Sequence, residues 1–274
     1  MIQDADGHPL HGLAIDYQQV KHEFVFGAFA KPPGIRYLRD AGINGITRNP
    51  WWSLVEPADG EFGLDFVNFW HGFEESSSAG IRLKTNDMFE MTDSPLAMPS
   101  YLYGLPFEQF LAKVDRHMST LVRRFAPQVD QWEAILEPNL VNHNVFGLTS
   151  EQYFQAIATS ANAIRRADPT ARIEINFSAP CGGIAWLDNQ DFLRQIISHT
   201  IDFDVVGLQF YYNGYVQDTS PRETPRMSLA QISSCIDEYE AILAPYGKSI
   251  AGSEISVPSE TPYSNIGYWG YPWS

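Results

Sequence analysis

Two glutamates in this 274-residue chain each stand at the end of an apolar run: Glu137 closes QWEAILE, and Glu254 lies near the end of SIAGSEIS. A carboxyl at the tip of a buried strand is an acid–base group on a rigid support. Two of them together meet the demand of glycosidic cleavage. One carboxyl must give a proton to the leaving oxygen, and the other must attack the anomeric carbon or activate water. A separation of about 5 to 5.5 Å would make the reaction retaining, through a covalent glycosyl-enzyme intermediate. A single strand-end Glu is more often a solvated loop residue or a helix cap, so the expectation rests on the pair.

The elements that must position this pair follow from periodicity. Seven apolar runs read as strands: 24–29, 43–47, 81–86, 131–137, 172–177, 204–211 and 249–256. They are rich in Val, Ile and Phe and fairly continuous, as strands buried on both faces are. Amphipathic runs separate them. Phe107, Phe110, Leu111, Val114, Met118, Leu121, Val122 and Phe125 recur at steps of three and four, which predicts a helix. Thr149 and Gln152 have capping-box spacing, and Gly247 is placed to end the helix that carries Leu229, Ile232, Ile236, Tyr239 and Leu243.

Alternating strands and helices predict an α/β fold with a parallel sheet. No GxGxxG or GxxxxGK[ST] turn follows the first strand, so a (β/α)8 TIM barrel is expected rather than an open nucleotide-binding sheet. Residues 1–23 read as a lead-in, and 24–274 as one barrel domain. Only 20 residues follow Glu254, whereas a further helix, strand and helix need roughly 30 or more. The eighth βα unit is therefore expected to be incomplete.

The net charge of −15 repels phosphate backbones and anionic lipid surfaces, while a neutral polysaccharide is compatible with it. Nucleic acid and membrane are thus not expected as partners. Cys181 and Cys235 have no ligand-like spacing and read as ordinary small residues. Histidines 22, 71, 117, 143 and 199 are scattered and the first strand carries none, so no metal and no cofactor is expected. There is no G-x-S-x-G elbow. Trp51, Trp52, Trp269 and Trp273 fall in loops, where a ring serves as a sugar platform or packs beneath the loop. Glu56 in VEPADG reads as a structural turn residue.

Several segments resemble the xylanases of glycoside hydrolase family 10. WWSLVEPADGEF is similar to the family's W-x-x-x-EP-x-x-G-x-F segment, and QWEAILE is similar to its W-D-V-V-N-E strand. VVGLQFYY resembles the G-x-x-x-Q-x-H strand, and SIAGSEIS the T-E-L-D nucleophile strand. The resemblance implies a retaining β-1,4-glycan hydrolase of xylan type, secreted or periplasmic and monomeric. It implies Glu137 as acid/base and Glu254 as nucleophile. It also implies contacts to substrate or nucleophile from Gln209, Tyr211 and Asn176, while Asn86, after the third strand, and the loop rings Trp51 and Trp269 are candidate sugar contacts by position.

Departures are equally specific. The clan's Asn before the acid/base is Leu136, its second-strand Asn and Lys fall on Arg48 and Trp51, and its third-strand His and Trp fall on Asn86 and Glu90. A non-catalytic carbohydrate-binding barrel, or a clan member acting on another β-glycoside, stands as the alternative.

Overall fold

Seven short parallel strands are laid side by side in chain order, each neighbour in sequence being the neighbour in the sheet. They are β1 (Gly27–Phe29), β2 (Gly45–Arg48), β3 (Arg82–Thr85), β4 (Gln131–Leu136), β5 (Arg172–Phe177), β6 (Val205–Tyr211) and β7 (Ser249–Ser256). The computed structural model describes residues 27–29, 44–65, 67, 72–178, 189–211 and 229–256. The lead-in, the tail beyond Ser256 that bears on an eighth unit, Trp269 and Trp273 lie outside these. The order β1 to β7 without a reversal is that of a (β/α) barrel, and a doubly wound sheet would reverse it.

Between the strands run α1 (Trp52–Val55), α2 (Phe73–Ser78), α3 (Phe107–Phe125), α4 (Ser150–Ala167), α5 (Asn189–Ser198) and α6 (Leu229–Leu243). The stripe expected on α3 is buried from Phe110 to Phe125 and packs against α4. At the head of α4 the capping box is complete: Gln152 N donates to Thr149 Oγ1 at 3.3 Å, and Thr149 N donates to Gln152 Oε1 at 3.0 Å. Gly247 adopts the left-handed conformation, at φ 63°, but it ends a 3-10 turn over Ala244–Tyr246 rather than α6 itself. Pro245 in that turn prevents the α-helical pattern from continuing.

One reading needs correction. Cys235 on α6 is disulfide-bonded, not an ordinary small residue. The chain's one other cysteine is Cys181, which lies outside the described residues. Sequence spacing carries no information about such a pairing.

The barrel interior is polar as well as apolar. Glu174 of β5 is fully buried and pairs with Lys84 Nζ of β3 at 2.6 Å, while Gln131 of β4 donates to its other oxygen. Gly207 of β6 faces this carboxylate. A Cβ there would lie 2.8 Å from Glu174 Cδ and 2.9 Å from Ser253 Cβ, inside the closest normal approach. Gly207→Ala is therefore expected to cost about 2 kcal/mol of overpacking strain, read as a lowered thermal midpoint.

Candidate active site

The strand that ends in Glu137 is irregular just before it. On β4, Glu133 pairs with Glu174 and Ile135 with Ile175, so Ala134 is an extra residue bulged out of the ladder. Glu137 itself has a left-handed backbone, φ 50°, an uncommon conformation for a residue with a Cβ, and its N–H donates to Asn176 O at 2.7 Å. The chain then turns through Pro138 and Asn139 into a 3-10 turn, Val141–His143. That turn brings His143 Nε2 to 3.4 Å from Glu137 Oε2 and 3.8 Å from Glu90 Oε1.

The strand that carries Glu254 has its own bulge. Leu208 pairs with Gly252 and Gln209 with Glu254, leaving Ser253 as the extra residue. Two successive side chains, Ser253 and Glu254, consequently both meet partners inside the barrel. Ser253 Oγ donates to Asn176 Oδ1 at 2.6 Å, Asn176 Nδ2 to Asn86 Oδ1 at 2.9 Å, and Asn86 Nδ2 to Glu254 Oε1 at 2.9 Å. Gln209 Nε2 adds a longer contact to the same oxygen at 3.3 Å. Every donor in this relay points toward Glu254. Linked bonds polarise one another, and two amide donors converge on this one Glu254 oxygen.

Other carboxyls crowd the same place. Asp87 follows β3 in a left-handed conformation, φ 57°, and Asn49 donates to its carboxylate. Glu133, fully buried, accepts from Asp87 N at 2.8 Å and Asn176 Nδ2 at 2.9 Å. Burial pushes Asp87 well above the usual carboxylate range, and the charges of Glu254 and Glu137 add to this. Burial likewise pushes Glu90 up to about 9, with Asp87, Glu137 and Glu254 adding repulsion. Glu133 is raised by burial, with Lys84 opposing. Glu137 and Glu254 thus both act on Asp87 and on Glu90, which places the two strand-end glutamates in one cluster. At neutral pH, Glu90 enters it as a neutral acid able to donate a hydrogen bond.

Because Glu90 holds its proton more tightly when folded, its contribution to stability is full at acid pH. It is lost as pH rises from the ordinary 4.5 toward about 9. The wild-type chain is expected to lose stability over that window with a slope of up to about 1.4 kcal/mol per pH unit for this proton. Glu90→Gln, which cannot ionise, should flatten the slope. Denaturant midpoints at pH 5, 7 and 9 measure it.

The residues singled out in the sequence fall into three groups. Gln209 and Glu254 meet directly. Asn86 and Asn176 are fully buried, with their amides committed to Glu254, Glu133, Ser253 and each other. They brace the buried carboxylates, Asn86 holding Glu254 and Asn176 holding Glu133. Trp51 is the half-buried N-cap of α1, at the end of β2. Tyr211 is the last residue of β6, opposite Ser256, and its side chain lies outside the described residues.

Trp52 is not a sugar platform. It is fully buried, stacked on His117 with ring centroids 4.0 Å apart, and its Nε1 donates to Tyr101 at 2.9 Å. Arg48 is buried and reaches Ser76 of α2 at 3.3 Å, on the helical side of its strand. Glu56 is structural, as read: it accepts from Gly60 N at 2.9 Å, contacts His117 Nδ1 at 2.9 Å and pairs with Arg116. Although burial works against it, these contacts hold its carboxyl below the usual range.

Glu133, His143 and Glu90 are cluster members that sequence reasoning left aside or gave no definite role. Glu133 carried one available signal, being a charged residue inside an apolar strand. The histidines read as scattered in fact bring one member, His143, to two carboxylates. Burial pushes its imidazole down to about 4, against the Leu136 backbone and Asp93. A shallow hollow of about 390 Å³ lies nearby, lined among others by Ser53, Asp93, Met98 and Tyr103; none of the cluster carboxyls lines it.

No family model matches this sequence, and no curated protein matches it. Solved structures match its fold. A GH10 protein from Paenibacillus barcinonensis superposes with a TM-score of 0.68 at 15% identity, over 87% of this chain and 71% of that one. The Thermobacillus composti GH10 xylanase gives 0.67 at 16%, over 93% and 76%. Xylanase B from Clostridium stercorarium F9 gives 0.67 at 15%, over 92% and 77%. The chain has the barrel fold of the GH10 xylanases, and at these identities the likeness is one of fold.

Proposed function

We propose that this chain is a retaining glycoside hydrolase acting on a β-1,4-linked plant-cell-wall glycan of xylan type. Glu254 is the nucleophile and Glu137 the acid/base. The observation that carries this reading is the single cluster joining the ends of β4 and β7. In it Glu254 accepts from Asn86 and Gln209, and Glu137 and Glu254 both repel the buried Asp87 and Glu90. The fold likeness to xylanases supports the substrate class.

In the first step a Glu254 oxygen bonds to the anomeric carbon as the glycosidic C–O bond breaks, and Glu137 passes its proton to the departing sugar oxygen. In the second, Glu137 takes a proton from water, whose oxygen replaces Glu254 on the same carbon. Two inversions give net retention. Protonated Glu90 is a donor that limits the negative charge gathered in the pocket.

The Leu136 side chain is buried and apolar where a hydroxyl-binding group would serve catalysis, and this favours a second reading, a barrel that binds glycan without cleaving it. Xylan, mixed-linkage glucan, mannan and galactan oligosaccharides, assayed for new reducing ends with anomer-resolved NMR of the first product, separate the two. Release of the β-anomer from the xylan series is the expected result. An α-anomer overturns the retaining mechanism, and saturable binding with no product overturns the hydrolase. A secreted or periplasmic location accords with the disulfide at Cys235, a bond that persists in oxidising compartments. Among the described residues no helix is long and apolar enough to cross a membrane.

A further inference from the structure

The contact between His143 and its two glutamates has the wrong dimensions for hydrogen bonding. Its Nε2 stands 3.4 Å from Glu137 Oε2 and 3.8 Å from Glu90 Oε1, beyond the usual N–H···O range of about 2.7 to 3.2 Å. The ring is buried, its side chain only 5% exposed, and Nε2 is the nitrogen that faces both carboxylates. The three ligand atoms, one nitrogen and two carboxylate oxygens, lie within 4.8 Å of one another.

These dimensions suit a shared ion. Ligands bonded at about 2.0 to 2.1 Å to a tetrahedral centre stand about 3.4 Å apart. Both measured separations from Nε2 are near that edge length. A nitrogen and two oxygens are a donor set for a borderline divalent cation such as Zn²⁺, and three protein ligands leave a fourth position for water. Asp87 and Glu254 lie close to the same glutamates, and a bound cation would displace the proton that Glu90 holds. His143 comes from the turn after β4 and Glu90 from the loop after β3, so the site is fixed by the two strand ends rather than by one mobile loop.

We propose that Glu90, Glu137 and His143 form a three-ligand site for a divalent cation of the Zn²⁺ class. Its occupancy engages the carboxylate that serves as acid/base and switches hydrolysis off. The second half rests on the functional reading above; the binding half does not. An ion on Glu137 Oε2 takes the position its transferable proton needs, and the loss of activity should follow the binding curve. No covalent or redox step is involved.

Calorimetric titration of the chelator-treated chain with ZnCl₂ tests the site directly. The expected result is one saturable site per chain, weakened at least tenfold in Glu90→Gln and in His143→Ala. His199→Ala, which removes the surface histidine near Glu151, should bind as wild type. Zn²⁺ should also raise the thermal midpoint of wild type and of His199→Ala but not of the two site variants. That readout, with circular dichroism at 222 nm, identifies a variant that has merely failed to fold. Absence of saturable binding, or unchanged affinity in a folded His143→Ala, overturns the proposal. If Zn²⁺ binds as expected and no glycan is ever cleaved, only the functional reading falls. If glycan is cleaved and Zn²⁺ does not bind, only the metal site falls.

Discussion

Glu254→Gln is expected to reduce turnover by about ten-thousandfold or more, equivalent to about 5.4 kcal/mol of transition-state stabilisation. The amide keeps the shape of the side chain and can still accept from Asn86, so the relay from Ser253 through Asn176 survives in outline. What it cannot do is form the ester to the anomeric carbon on which the double displacement depends. Oligosaccharide binding by the variant should persist, because neither the barrel nor the cleft walls have changed. The decisive comparison sets kcat of the variant, purified free of wild-type carry-over, against its calorimetric Kd for the same oligosaccharide. Undiminished turnover would remove Glu254 from the nucleophile role.

Glu137→Gln should produce an effect that depends on the leaving group. With a natural glycan, whose departing alkoxide needs a proton, the loss is expected at about a thousandfold, within the range ascribed to general acid catalysis. An aryl glycoside with an acidic phenol needs little help to leave, so its first step should be slowed far less. Water still has to be deprotonated in the second step, and the glycosyl-enzyme should accumulate. KM for the aryl substrate should fall together with kcat, and a burst of phenol should precede the steady state. Azide, which attacks without needing a base, should restore the second step. Equal losses on both substrates, with no burst, would mean that Glu137 supports the fold and moves no proton.

Much of this arrangement was legible in the chain because its signals are local. All seven strand readings overlap observed strands, and the helix periodicities and the Thr149 capping box reappear in place. Strand-end Glu137 and Glu254 followed from the same patterning. What the sequence hid depends on the third dimension. Asn86 and Asn176 read as substrate contacts, and only the curled sheet shows them hydrogen-bonded to each other. Asp87 and Glu90 carry no local mark of their surroundings, yet both sit among carboxyls that burial has driven upward. Neither bulge could be read either, since Ala134 and Ser253 simply lengthen an apolar run by one residue. His143 was missed because distance along the chain says little about distance through the barrel.

The irregularity on β7 bears on how this barrel might be altered. A regular ladder contributes one interior group for every two residues of strand, so the number of functional groups around a barrel is limited by its circumference. By doubling up Ser253 and Glu254, the seventh strand exceeds that quota. An engineer who tidied β7 into perfect alternation by deleting Ser253 would obtain a straighter strand and keep the glutamate. The asparagine pair would then lose the hydroxyl that fixes which way its amides point, leaving the reactive carboxylate present but unaimed.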